Sequence, residues 1–263
     1  MHAPIRPFEP IPTELLLLAY RSGIFPMADH RDDPEVYWVE PRERAIIPLD
    51  GFRLSRSLAK TLRRDRFRVS CDEAFAGVIA ACAAPREEHA ESWISRRIEA
   101  SYRALHDEGR AHSVECWLRQ PGGDEILAGG LYGVAFDRVF CGESMFSRAD
   151  NASKVALAWL VAALRRAGFV LLDCQFMTDH LASLGAMPIP QSEYLARMKA
   201  AHGEPACSLP QAVSWFASDG VGAEVGVAVG RGAAERGDGA GGGLSADASS
   251  PGKRIAQSLI QTS

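Results

Sequence analysis

Residues 113–174 read SVECWLRQPGGDEILAGGLYGVAFDRVFCGESMFSRADNASKVALAWLVAALRRAGFVLLDC and carry two hydrophobic periods in succession. Apolar and polar residues alternate over 113–118, and the stretch 120–124, with its proline and two glycines, has hairpin turn chemistry. Residues 126–134 and 139–145 read as two further strands around a tight turn at Asp137. The period then changes. Asn151 or Ser153 can cap a helix that runs to Arg166, and Gly168 supplies its stop. The compact apolar run 169–174 reads as a strand buried on both faces. The order strand, strand, strand, helix, strand predicts an α+β domain whose helices cover a mixed sheet.

Working upstream, residues 67–70 read as a strand, and Asp72 can cap a helix carrying Phe75, Val78, Ile79 and Cys82. A loop over 85–92 precedes a helix over 96–108 that Gly109 ends. Thr13 can cap a short leucine-rich helix stopped by Gly23, and Tyr37, Trp38 and Val39 suggest an extended aromatic segment. Residues 1–62 are expected to form a small N-terminal lobe and 63–217 the main domain. Downstream, short helices are expected over 180–184 and, after the breakers Pro188 and Pro190, over 191–199. Between Gly220 and Gly243 ten residues are glycine, and no periodic apolar face is visible, so 218–263 reads as a flexible tail. Ile255, Leu259 and Ile260 have the spacing of a short terminal helix, which is marginal as an isolated peptide.

With 263 residues, 47% hydrophobic and 24% charged, the chain is globular rather than wholly disordered. The six cysteines form no CxxC pair and have no histidine at zinc-ligand spacing, and the histidines are scattered, so neither a disulfide framework nor a metal site is expected. Neither a signal peptide nor a membrane span is legible, and a cytoplasmic location is expected. The formal net charge of -4 hides a local excess. Arg53, Arg56, Lys60, Arg63, Arg64, Arg66 and Arg68 are interrupted only by Asp65, a pattern that fits either nucleic-acid phosphates or a solvated face.

Glu143 lies beyond Phe140 and Cys141 on one strand, and Asp173 and Gln175 flank Cys174 at the end of the next. If those strands are neighbours, two carboxylates and an amide converge beyond the strand ends, where ligands of such sheets tend to sit. The same cluster could equally hold loops together through hydrogen bonds and ion pairs. The loop FSRADNASK, 146–154, opens a helix N-terminus that could dock an anion or be capped by Asp150, Asn151 and Ser153. Leu157, Leu160 and Leu164, with Leu131, Phe140 and Met145, could line an apolar pocket or be plain core. Cys141 and Cys174 have no partner that would lower a thiol pKa, which argues against a covalent thiol mechanism.

The segments GIFPM, YWVEP, ESWI, GRAHSVECW, GGLYGVAF, FCGESMFSRADNASK, LLDCQF and DHLASLGA, in this order, resemble the bacterial leucyl/phenylalanyl-tRNA–protein transferases from about residue 10 to 217. The resemblance implies a small N-terminal domain followed by a domain similar to GNAT acyltransferases. It implies transfer of leucine, phenylalanine or methionine from aminoacyl-tRNA onto proteins that begin with Arg or Lys, which marks them for degradation. It further implies no metal, no coenzyme A and no membrane partner, and a monomer is expected. By resemblance, Asp173 and Gln175 sit at the attacking amine and assist its deprotonation, while Glu143 helps hold the cationic acceptor. Leu131, Phe140, Met145, Leu157, Leu160, Leu164 and Leu172 match the aminoacyl pocket, and Trp93 matches a position at the tRNA 3′ end. Met27 stands where some relatives carry Trp, and Glu40 where some carry Ser.

Two other readings compete. An acetyltransferase using acetyl-CoA would share the topology, but the loop FSRADNASK has no glycine with which to approach a pyrophosphate. A non-enzymatic RNA-binding protein would account for the arginines and leave Glu143, Asp173 and Gln175 without a role.

Overall fold

The computed structural model describes residues 9–85, 91–218 and 250–260. Strands β4 (Arg68–Cys71), β5 (Ala111–Arg119), β6 (Glu125–Phe136) and β7 (Val139–Ser147) are successive antiparallel neighbours. The turns fall where the sequence puts them, with Gly123 at φ +94° in one and Asp137 at φ +49° in the other. Helix α5 (Ala152–Ala167) then crosses over and returns the chain as β8 (Leu171–Gln175), parallel to β7. With 13 of its 16 residues buried, α5 is an interior helix, apolar nearly all round.

Two strands that the sequence conceals complete the sheet. Strand β3 (Glu43–Ile47) pairs antiparallel with β8, and β9 (Met187–Pro190) pairs with β3 at the edge, giving the order β4-β5-β6-β7-β8-β3-β9. The sheet therefore reaches back across the break expected at residue 62, because four consecutive residues of β3, Arg44 to Ile47, are buried on both faces. Pro188 and Pro190 do not prevent β9 from pairing, since an edge strand tolerates missing donors. The molecule is a mixed α+β fold.

Helices cover both faces. One face carries α2 (Arg56–Arg63), α5, α8 (Leu209–Ala217) and α9 (Pro251–Ile260). The other carries α1 (Thr13–Arg21), α3 (Phe75–Cys82), α4 (Arg96–Asp107) and α7 (Gln191–Ala200). A two-stranded ribbon of β1 (Phe25–Met27) and β2 (Tyr37–Val39) and the short α6 (Asp179–Ser183) complete the described elements.

Several expected caps are made differently. Pro12 rather than Thr13 precedes α1, and the Thr13 hydroxyl donates to Glu108. Asp72 accepts from the Ser113 amide instead of capping α3, and Asn151 stands at φ +68° before α5 without a side-chain cap bond. The larger correction concerns the tail. Residues 251–260 form α9, which buries Ile255, Ala256 and Leu259 against the α2, α5 and α8 face. The core supplies the stability that a ten-residue helix lacks by itself. Residues 219–249 of the expected tail, and 86–90 of the expected loop, lie outside the described residues.

Candidate active site

The site forms where the parallel strands stop pairing. Registered pairs between β7 and β8 end at Cys141 and Asp173, and the residues beyond them face a cleft of about 820 Å³. Each strand is locally bulged there. Gly142 and Ser144 pair with Gly133 and Tyr132 of β6, which leaves Glu143 without a partner, and the β3 pairing likewise passes over Cys174. A bulge re-aims the side chains around it, and bulges are common beside active sites. Gln175, at φ +62°, adds a second departure from regular strand geometry.

Asp173 is fully enclosed and every lone-pair direction is used. Its Oδ1 accepts from Arg44 Nε at 3.0 Å and from the Gln175 amide at 2.9 Å, and its Oδ2 accepts from Arg44 Nη2 at 2.7 Å and Tyr194 Oη at 3.1 Å. Arg44 itself is 0% exposed, donates to the Gly23 carbonyl at 2.9 Å, and lies over the rings of Phe25 and Tyr194. Burial opposes the guanidinium charge, and the hydrogen-bonded carboxylate more than reverses that effect, so the Arg44 pKa ends above its usual value. A bidentate pair of this kind fixes β3 against β8.

Glu143 is buried as well, but hydroxyls rather than a cation surround it. Tyr20 Oη donates to Oε1 at 2.7 Å and Tyr102 Oη to Oε2 at 3.0 Å, and the two phenol oxygens also touch each other. Desolvation raises the Glu143 pKa to about 7, against the lowering effect of Tyr20, the Gln175 side chain and Tyr102. The Gln175 amide faces Glu143, yet its Nε2 is buried without an acceptor of hydrogen-bonding geometry. Unpaired buried donors are uncommon. This one borders the cleft.

The apolar half of the cleft is built by Leu131, Met145, Leu157, Leu160, Leu172 and Cys174 under α5, and Met27, Trp93 and Phe176 stand around its other side. Phe140 and Leu164 were expected there and are instead fully buried core, absent from the lining. Asp173 is absent from the lining too, so it reaches the cleft only through the Gln175 backbone. Cys174 lines the cleft with a thiol whose pKa burial pushes well above its ordinary value, which suits neither nucleophile nor redox centre.

Residues 46–199 match the Leucyl/phenylalanyl-tRNA protein transferase family, and residues 10–42 match the N-terminal domain of the same family. The chain is 58% identical over 263 residues to the leucyl/phenylalanyl-tRNA–protein transferase of Novosphingobium aromaticivorans, covering 96% of this chain and 97% of that protein. The chain belongs to this transferase family. It is an aminoacyltransferase. The family proteins of Rhizorhabdus wittichii and Zymomonas mobilis are each 58% identical over 73% of this chain, covering 76% and 69% of their own lengths.

In this family member the cationic cluster Arg63, Arg64 and Arg66 is exposed at and just beyond the end of α2, whose apolar face of Leu58, Ala59 and Leu62 is buried. Arg68 differs from the three, since it is paired with Glu73 and Glu125. The sequence reading missed Arg44, Tyr20, Tyr102 and Tyr194. Arg44 shares a short charged stretch with Arg42 and Glu43 between Pro41 and Pro48, and the tyrosines sit at helical core spacing, so only the tertiary contacts reveal them. Among the described residues no helix is long and apolar enough to cross a membrane, and no group of three metal-ligating side chains occurs.

Proposed function

We propose that this transferase moves leucine, phenylalanine or methionine from aminoacyl-tRNA to the N-terminal Arg or Lys of an acceptor protein, in the cytoplasm and as a monomer, and so marks that protein for N-degron degradation. The observation that carries this reading is the unpaired Gln175 amide beside Glu143 at the polar end of a leucine- and methionine-lined cleft. The splayed parallel strands β7 and β8 in a mostly antiparallel sheet support a GNAT-like acyl-transfer core.

The ester of an aminoacyl-tRNA is already activated, so the protein has chiefly to place a neutral amine against its carbonyl. The amine nitrogen forms the new N–C bond, the ester C–O bond breaks, and the ribose oxygen leaves with a proton. Gln175 orients the reacting groups. Asp173 acts as a positioning residue, holding the Gln175 backbone while Arg44 holds Asp173. Glu143 faces the cationic acceptor, and a carboxyl titrating near neutrality is able to take up the amine's proton and pass it on. The apolar wall favours a side chain that is unbranched at Cβ. Trp93 and Met27 flank the 3′ end, and Arg63, Arg64 and Arg66 neutralise phosphates of the RNA.

The test is an assay with radiolabelled leucyl-tRNA and a model protein beginning with Arg, run beside acetyl-CoA. Label passes to the protein from leucyl-tRNA and none passes from acetyl-CoA; acetyl transfer without leucyl transfer would overturn the reading.

A further inference from the structure

We propose that the C-terminal helix α9 completes an RNA-binding surface with the end of α2, with Lys253 as its added cation. The inference rests on the reading of Arg63, Arg64 and Arg66 as phosphate contacts. Helix α9 meets α2 at an unusually close approach. A Cβ placed on Gly252 would lie 1.9 Å from the Leu62 carbonyl oxygen and 2.8 Å from Asp65 Oδ1, so only glycine fits between the two helices. At this contact the Gly252 amide donates to Asp65 Oδ1 at 2.7 Å.

That bond changes the electrostatics of the basic run. Asp65 is the single acid among seven cations, and it stands at φ +46° with a carboxylate oxygen turned to the first turn of α9. There the helix amides and dipole partly offset its negative charge. Arg63, Arg64 and Arg66 are thereby left as the outward-facing charges of the turn. The next residue, Lys253, is exposed and makes no ion pair among the described residues.

The rest of α9 is anchored. Ile255 and Leu259 enter the core, Arg165 Nη1 donates to the Ser258 carbonyl at 3.0 Å, and Arg254 donates to the Ser218 carbonyl at 2.7 Å. Lys253 is therefore carried on a fixed helix, one residue beyond the amide that bonds Asp65 inside the arginine run. Arg56 and Lys60, exposed on α2, extend the same cationic face.

The experiment measures binding of deacylated tRNA, which separates this surface from catalysis, over a range of salt. Lys253→Glu is expected to weaken binding about five- to tenfold at 0.1 M salt and to flatten the slope of log K against log salt by about one, with Tm unchanged. Gly252→Val lifts α9 from α2, frees Asp65, and is expected to weaken binding at least as much. Unchanged affinity and slope in Lys253→Glu would overturn the proposal, as would weakened binding of an acidic acceptor protein with tRNA binding intact. The double variant Arg63→Glu, Arg64→Glu separates the two readings. If it too leaves tRNA binding unchanged, the phosphate reading itself fails; if it alone weakens binding, only the role of α9 fails.

Discussion

Strands β7 and β8 lie side by side, and each buries a carboxylate next to a bulge, yet the two surroundings are opposite. Around Asp173 every acceptor position is taken, chiefly by a guanidinium that is itself enclosed by two aromatic rings. Around Glu143 the donors are neutral phenols, and one side opens to the cleft. The difference separates two uses of one functional group. A carboxylate paired with a buried cation is a structural anchor, whereas one buried without a cation is raised by desolvation to a protonation equilibrium near neutral pH, against the hydroxyls that bond it.

The largest test of the contrast removes the cation. Arg44→Met leaves Asp173 buried without its ion-pair partner and is expected to lower stability by about 3–5 kcal/mol in urea denaturation. Adding Asp173→Leu removes the stranded charge and should restore much of that loss while transfer stays impaired. If Arg44→Met proves neutral, the anchor reading of Asp173 is lost. The next test concerns pH. The folded pKa of Glu143, about 7, lies above its ordinary value of 4.5, so the native state binds more protons between those limits. Stability must therefore fall as pH rises from about 4.5 to about 7, by about 3 kcal/mol relative to Glu143→Gln. Thermal unfolding of both proteins at pH 5 and pH 8 measures it, and a pH-independent difference would break the comparison.

Gln175 joins the two regions, with its backbone on Asp173 and its amide toward Glu143. Gln175→Ala is expected to lower the rate of transfer about 100-fold while aminoacyl-tRNA binding changes little, as for loss of one aimed donor. Equal losses in rate and binding would make Gln175 a binding contact only. Cys174→Ala should have the smallest effect, a near-parental rate with normal folding, since the proposed aminolysis uses no thiol and burial raises the Cys174 pKa. A folded but inactive Cys174→Ala protein would sink direct aminolysis.

The meander β4 to β7 and the crossover through α5 to β8 were legible because alternation, turn residues and a switch of period fall within one continuous stretch. Strand β3 was not, since its five residues alternate with nothing and its partner β8 lies far along the chain. Charge hid α2, whose Leu58 and Leu62 are outnumbered by cations, and glycine hid α9, whose apolar face makes sense only against the core. In the site, the sequence expects Glu143 and Gln175 to converge beyond the strand ends, and both line the cleft. Residue types there could not tell that Asp173 is enclosed, because the residue that encloses it lies 129 positions away. Periodicity put Phe140 and Leu164 on plausible faces, but access to the cleft is set by packing, and both are fully buried outside its lining.

That separation of 129 residues between Arg44 and Asp173 has a consequence during synthesis. At 5–20 residues per second, about 6–26 s pass between the emergence of β3 and that of β8. Through that interval β3 lacks both sheet neighbours, since β9 follows β8 in the chain, and Arg44 lacks its native partner Asp173. A ribosome-bound chain that stops before Asp173 can form the meander but not the anchored site, so transfer chemistry is acquired only once nearly the whole sheet has left the ribosome.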